Sequence, residues 1–324
     1  MRFNLTVTDE DDGKELRDIM RDRLQMSRTM IKKVKLYGTL EVNGEHRRVI
    51  DTVSTGDEVF AAYGEEDEKL KSDPLIPILF EDEYIAVVVK PAGIVTHPCH
   101  NHLDDSVLTR LSDNTLHPVM RLDRETSGLM VVAKSGYIHN AMINTKIRKK
   151  YVASVYGMYE TSEGIIDLPI RRRPNSVMIR ETTTSEDPAG KPCITLYRSI
   201  LENEKDNISL VEFTLLTGRC HQIRVHSTHM GHPLTGDGLY GPNSIDNPCD
   251  KFPLSPLLDE KIGRQGLHAY SLTFEHPVSH NEMHFISDIP EDMRRLFPDT
   301  SEKVFHELLC KVDGLDAVGS GQES

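Results

Sequence analysis

The spacing of apolar runs predicts an α+β protein, with a mixed, mainly antiparallel sheet and a small α/β unit at the N-terminus. Three observations support this. Short apolar runs bounded by turn residues recur from residue 84 onwards, with the length and framing of strands. Few helical periods separate them, which disfavours a strict alternation of strand and helix. The first sixty residues show the opposite order, two helical periods before any hairpin signal.

In the first unit, Leu16, Ile19, Met20 and Leu24 recur at helical spacing. Ser27 is placed to cap a second helix carrying Met30, Ile31 and Val34, and Gly38 suits the position that ends it. Thr39–Val42 reads as a strand, Asn43-Gly44 as a hairpin turn and Gly56-Asp57 as another turn. Two helices followed by a small sheet, with Arg28, Lys32 and Lys33 on the helices, resemble the RNA-binding domain named after the fourth ribosomal small-subunit protein. Residues 1–70 are assigned to it, and those three side chains to RNA contact. The charged stretch from Gly64 to Asp73, with Pro74 and Pro77 behind it, has linker composition, and residues 71–79 are read as the linker.

Strands are expected at Tyr84–Val89, Leu129–Ala133, Tyr151–Tyr156, Ile194–Tyr197, Ile208–Leu216 and Tyr270–Phe274. Helices are expected near Tyr137–Ile147 and His221–Met230, the latter stopped by Gly231. Residues 80–311 form the second domain. Residues 312–324, rich in Gly, Ser, Asp and Glu, read as a disordered tail.

Composition narrows the function. A chain of 324 residues with 38% hydrophobic and 27% charged residues reads as soluble and globular, long enough for one large core and an accessory domain. No apolar run approaches the length of a membrane span, and the N-terminus lacks the apolar stretch of a signal peptide. The five scattered cysteines fit a reduced, cytoplasmic setting. A monomer is the simplest expectation. The net charge of −13 argues against nucleic-acid binding only if charge is evenly spread, and it is not. From Lys14 to Lys35 there are eight basic residues against three acidic ones. Lys146, Arg148, Lys149 and Lys150 form a second basic cluster and Arg171-Arg172-Arg173 a third, so RNA binding should weaken steeply with salt.

The most informative stretch is Arg121-Leu122-Asp123-Arg124-Glu125-Thr126-Ser127-Gly128. It sets one carboxylate between two arginines, in a turn before the apolar run Leu129–Ala133. Flanking cations favour the ionised form, and an ionised Asp held at a strand edge can act as a nucleophile or electrostatic partner. By itself the stretch reads as a salt-bridged turn. Four further segments agree in order: Lys90-Pro91-Ala92-Gly93 with Thr96-His97-Pro98, Lys149-Lys150-Tyr151, Thr217 to His226 running on to Gly231–Gly241, and Gly266-Leu267-His268-Ala269-Tyr270. Together they resemble the RluA family of RNA pseudouridine synthases across residues 80 to 280. One departure is Met120, where the family usually has histidine.

The resemblance implies a long mixed sheet with a catalytic cleft across its middle. It implies Asp123 as nucleophile, Arg224 as its counter-ion, and Tyr151 as a stacking surface and base. Arg121 is implied to fill the space left by an everted uridine, and Lys150 joins the RNA-contact set. The reaction is an isomerisation, so neither cofactor nor metal is expected. Large-subunit ribosomal RNA is the favoured partner, with transfer RNA or a non-catalytic assembly role as alternatives. Two patterns are set aside. Gly236-x-Gly238-x-x-Gly241 lacks the strand–turn–helix context of a dinucleotide site. His97, His100 and His102 with Cys99, and separately His226 and His229, lack metal-site spacing and read as solvated or structural.

Overall fold

The computed structural model describes residues 2–63, 70–99, 105–245 and 248–313. The first unit contains β1 (Arg2–Thr6), α1 (Leu16–Asp22), α2 (Arg28–Tyr37), β2 (Thr39–Val42), β3 (Glu45–His46) and β4 (Glu58–Ala62). Its strands form one antiparallel sheet in the order β1-β4-β2-β3. α1 buries Leu16, Ile19 and Met20, and α2 buries Met30 and Val34, in a core that includes Val42, Val59 and Ala61 from the sheet. The Ser27 hydroxyl accepts the Met30 N–H at 3.2 Å, a cap of the kind worth about 1 kcal/mol. Gly38 differs from expectation, because its backbone is extended. Glycine is needed there because a Cβ would lie 2.3 Å from the Ala62 carbonyl oxygen.

The second unit runs through β5 (Ile78–Glu81), β6 (Ile85–Lys90), α3 (Val107–Leu111), β7 (His117–Pro118), β8 (Ser127–Ala133), α4 (Gly136–Ile143), β9 (Arg148–Tyr156), β10 (Glu163–Asp167), β11 (Ile170–Arg172) and β12 (Arg180–Thr182). It continues with β13 (Ile194–Asn203), β14 (Ile208–Leu215), α5 (Gln222–His229), α6 (Ser255–Ile262), β15 (Leu267–Glu275), β16 (Glu282–Ile286), α7 (Glu291–Arg294) and α8 (Glu302–Asp313). Ten of these strands make one sheet, β10-β13-β14-β9-β15-β8-β6-β5, with β16 beside β15 and β7 beside β8. β11 and β12 form a separate ribbon. Every pairing in the large sheet is antiparallel except β15 with β8, which are parallel over two residue pairs, His268 with Ser127 and Ala269 with Gly128. The short runs predict an antiparallel or mixed sheet and the family resemblance a mixed one, and the sheet is mixed and mainly antiparallel. All seven residues of β8 are buried, so it lies deep in the core. No helix among the described residues is long and apolar enough to cross a membrane.

Three boundaries move. β5 starts at Ile78, and Ile76 is buried in the large core, so the end of the assigned linker belongs to the sheet. The helix read to Ile147 ends at Ile143, because Asn144 caps it and β9 begins at Arg148. α8 runs to Asp313, two residues into the assigned tail, and Asp313 is buried against Lys150 and His284. The rest of that tail, residues 314–324, lies outside the described residues, as do residues 64–69 of the charged stretch and His100 and His102.

Candidate active site

Residues 119–126 connect β7 to β8, and the backbone of their second half is held from two sides. On one side, Lys90 ends β6 wholly buried, and its ammonium donates to the carbonyls of Pro91, Ile94 and Arg124 at 2.7, 2.6 and 2.9 Å. Burial pulls that ammonium down to about 7. The Gly93 N–H also donates to the Arg124 carbonyl, and the Thr96 hydroxyl donates to the Leu122 carbonyl while accepting the Leu122 N–H. On the other side, Arg264 donates to the Glu125 carbonyl at 3.1 Å and Gln265 to the Thr126 hydroxyl at 2.6 Å. The Ser127 hydroxyl meets His268 Nδ1 at 2.9 Å, and the Thr126 N–H donates to the Asp123 carbonyl. Four successive carbonyls, Leu122 to Glu125, therefore each have a donor. At about 1 kcal/mol net per bond, the turn is rigid by summation.

Gly128 explains why the motif ends in glycine. Its φ is +116°, and a Cβ would stand 2.2 Å from the Ala269 carbonyl oxygen, where β8 and β15 run parallel. Any side chain would push the two strands apart directly beneath the Asp123 turn.

The charge facing Asp123 comes from α5. Arg224 Nη1 donates to Asp123 Oδ2 at 3.0 Å. The other edge of the guanidinium is clamped by Asp237, with Nε and Nη2 each donating at 2.7 Å to its two oxygens. Asp237 is fully buried and also accepts the N–H groups of Leu239 and Tyr240 at 3.0 Å. The Tyr240 ring lies 4.9 Å from the guanidinium carbon, a cation–π contact. Burial opposes the charge on Arg224, but the hydrogen bonds and charge of Asp237, with Asp123 behind them, hold its pKa above the ordinary value. His221, in a left-handed conformation ahead of α5, brings Nε2 to 3.8 Å from Asp123 Oδ2. Burial lowers the pKa of this imidazole despite the neighbouring carboxylate.

The flanking arginines do not supply the counter-charge, contrary to the reading of the motif alone. Arg124 pairs with Glu125 at 2.7 Å, and Arg121 is exposed. The cation that meets Asp123 lies 101 residues further on. One end of the Asp123 side chain stays open, at 35% exposure.

Tyr151 lies on β9, opposite Phe213 on one side and Ala269 on the other. It is buried, and burial raises its phenol pKa, with the Asp123 charge adding to the effect. Lys150 faces the opposite side of the strand. There it pairs with Asp313 at 3.0 Å and donates to the Val312 carbonyl, so the structure does not bring it to the Asp123 side. Arg171 and Arg173, in the third basic cluster, both pair with Glu181 of β12, and Arg171 also pairs with Asp187. In the first cluster the α1 region is neutralised locally, with Arg21 on Asp18 and Asp22 and Arg23 on Asp11. Arg28, Lys32 and Lys33 are exposed on α2, and none of them is in an ion pair among the described residues. Met120 is buried in the large core.

Residue pattern alone did not single out Asp237, Thr96, Arg264 or Gln265. All but Arg264 and Gln265 lie inside the quoted motifs, but motif membership does not say which acid meets which base. Arg264 and Gln265 immediately precede the last motif, and no chemical signal marks them.

Residues 84–229 match the RNA pseudouridylate synthase family. The uncharacterized RNA pseudouridine synthase YjbO of Bacillus subtilis (strain 168) is 35% identical over 289 residues, 84% of this chain and 95% of that protein. Ribosomal large subunit pseudouridine synthase D of Escherichia coli (strain K12) is 33% identical over 335 residues, 97% of this chain and 99% of that protein. Among solved structures, human RNA pseudouridylate synthase domain containing 4 aligns with a TM-score of 0.51 at 24% identity, over 67% of this chain and 90% of that one, a likeness of fold. The chain belongs to the RNA pseudouridylate synthase family of isomerases.

Proposed function

We propose that this chain converts uridines to pseudouridine in large-subunit ribosomal RNA, with Asp123 as nucleophile, Arg224 as its counter-ion and Tyr151 as the surface on which the base stacks. One observation above all supports this: Asp123 projects from a turn in which the four carbonyls of Leu122 to Glu125 each have a donor, against a guanidinium that Asp237 fixes from behind. A charged group held this way needs little reorganisation when substrate arrives. The reaction breaks the bond from ribose to uracil nitrogen 1, joins ribose to carbon 5, and moves one proton from carbon 5 to nitrogen 1. Atoms and electrons balance without any further reactant. Burial keeps the Tyr151 phenol protonated, which favours its ring as a platform over its hydroxyl as a free base.

A uridine within folded RNA must leave its stack to reach Asp123, at a cost of a few kcal/mol. Arg121, exposed two residues from Asp123, is the side chain to occupy the vacated space. Residues 1–70 act as an RNA-binding unit through Arg28, Lys32 and Lys33. Lys150 is left out of that set, because its charge is neutralised inside the protein. The relatives named for the ribosomal large subunit favour that RNA as substrate.

The test is tritium release from RNA carrying carbon-5-labelled uridine, by the wild type and by Asp123→Asn, with pseudouridines mapped in cells with and without the gene. Release by wild type alone, and sites lost from large-subunit RNA, are expected. Release that survives Asp123→Asn would refute the catalytic assignment, and sites lost only from transfer RNA would move the substrate.

A further inference from the structure

His221 is the last residue before α5, and its backbone is left-handed, with φ at +58°. Side chains other than glycine seldom adopt that conformation, and where they do the surrounding contacts hold them there. The imidazole does not cap α5. It lies mostly buried between two partners. Its Nδ1 is 2.8 Å from the Tyr240 hydroxyl, whose oxygen also accepts the Arg180 N–H of β12 at 2.9 Å. Its Nε2 is 3.8 Å from Asp123 Oδ2.

The Asp123 end decides where the imidazole hydrogen sits. An ionised carboxylate only accepts, so the nitrogen facing it carries the hydrogen. Burial lowers the pKa of the ring, against the pull of Asp123 and Asp237 and with the push of Arg224 and Arg180, so the neutral form with one N–H prevails. Nδ1 is then the acceptor and the Tyr240 hydroxyl the donor. Burial pushes that phenol up to about 12, which keeps its hydrogen in place at neutral pH. Donors therefore run in one direction, from the Arg180 N–H through Tyr240 and His221 to Asp123. Arg224 Nη1 donates to the same oxygen, Oδ2, and among the described residues Oδ1 meets no donor.

We propose that His221 is a positioning residue for the isomerisation: the Tyr240 hydroxyl keeps its hydrogen on Nε2, where it joins Arg224 on Asp123 Oδ2 and leaves Oδ1 as the attacking oxygen. The role rests on the reading of Asp123 as nucleophile and deepens it by naming the reacting atom. A separation of 3.8 Å is too long for a hydrogen bond, but catalytic contacts are often long before substrate binds and tighten in the complex.

The arrangement also sets a pH dependence. The groups around the ring are Asp123 from the β7–β8 turn, Arg224 from α5, Asp237 and Tyr240 from the segment after α5, Arg180 from β12, and Cys220 beside it in the chain. Lowering the pH through the folded pKa, which lies below 6.5, puts a second hydrogen on Nδ1. Nδ1 can then no longer accept from Tyr240, and the imidazolium draws on the charge that Asp123 needs for attack. Turnover falls on the acid side, by up to about tenfold per pH unit.

The experiment measures single-turnover tritium release at saturating RNA from about pH 4.5 to about pH 8, with RNA affinity and melting curves for each variant. His221→Gln offers an amide N–H that does not titrate, so it should stay within about tenfold of the wild-type rate while its acid limb moves to lower pH. His221→Ala should lose about 100-fold in rate with affinity unchanged, the scale of misplacing a reacting group by about 1 Å. Tyr240→Phe keeps the ring beside Arg224 but removes the donor to Nδ1, and should lose about tenfold. Nitrogen-15 NMR, with the His221 signals identified by their loss in His221→Gln, should find hydrogen on Nε2 and none on Nδ1. Hydrogen on Nδ1, an unmoved acid limb in His221→Gln, or a wild-type rate in folded His221→Ala or Tyr240→Phe overturns the role. Those results with tritium release by the wild type remove the role alone, whereas a wild type that releases none refutes the isomerase reading and the role with it.

Discussion

Arg224 holds two carboxylates, and replacing each in turn should separate folding from chemistry. Asp237→Asn removes the buried partner. The asparagine oxygen can keep one of the two 2.7 Å bonds, but its NH2 then faces a guanidinium N–H, and the buried cation keeps only the half-exposed Asp123 as counter-charge. Breaking a buried ion pair from one side costs about 3–5 kcal/mol. With roughly 2–4 °C of Tm per kcal/mol for a domain of 150–250 residues, Tm should fall by about 6–20 °C. Asp123→Asn removes the half-exposed partner and leaves the Asp237 clamp intact, so the change should stay within the 0–1 kcal/mol of an exposed pair. Activity should behave in the opposite way, absent in Asp123→Asn even when the protein is fully folded, and partly retained in Asp237→Asn at low temperature. Thermal melts paired with single-turnover tritium release measure both. Equal Tm losses in the two variants, or an unchanged Tm in Asp237→Asn, would show that Asp237 does not anchor Arg224 and would refute this division of roles.

Three further outcomes are expected. Gly128→Ala should cost more than about 3 kcal/mol, read as a drop in denaturant midpoint, because it combines a φ of +116° with a Cβ 2.2 Å from Ala269 oxygen; a variant as stable as wild type would show that β8 and β15 can separate freely. Burial draws the Lys90 ammonium from 10.5 unfolded to about 7 folded, so between those values the unfolded chain binds more protons and stability rises with pH, by at most about 1.4 kcal/mol per unit. Lys90→Met should remove that component from midpoints compared at about pH 6.5 and about pH 9, and an identical pH profile in the two proteins would contradict it. Arg121→Ala should weaken productive binding of structured RNA more than of an unpaired loop, since only the former leaves a gap in the stack to fill; equal losses on both substrates would remove the wedge role.

Much of the local structure was readable because it depends on local chemistry. Ser27 caps α2 because a hydroxyl before an apolar period satisfies a free N–H wherever the helix packs. Strands β6, β8 and β14 follow from short apolar runs between turns. Two further helices carry local signals: Pro256 at the start of α6 with Gly263 in a left-handed conformation at its end, and Phe305 and Leu309 at helical spacing in α8. Gly38 ends α2 where the sequence places it, but what requires glycine is the close approach of β4, which leaves no local trace.

By itself, the amino-acid order determined that this is an α+β chain with a two-helix first unit, and its resemblance to a known family marked Asp123, Tyr151 and Arg224 as the chemical candidates. Tertiary structure decided which charges meet. The two arginines beside Asp123 in the chain turn elsewhere, and Arg224 reaches it from α5 with Asp237 behind it. Lys150, adjacent to Tyr151 in the chain, faces the other side of the sheet and pairs with the end of α8. Neighbours along a strand point to opposite faces, and an ion pair depends on distance through space, so only the assembled sheet could assign these partners.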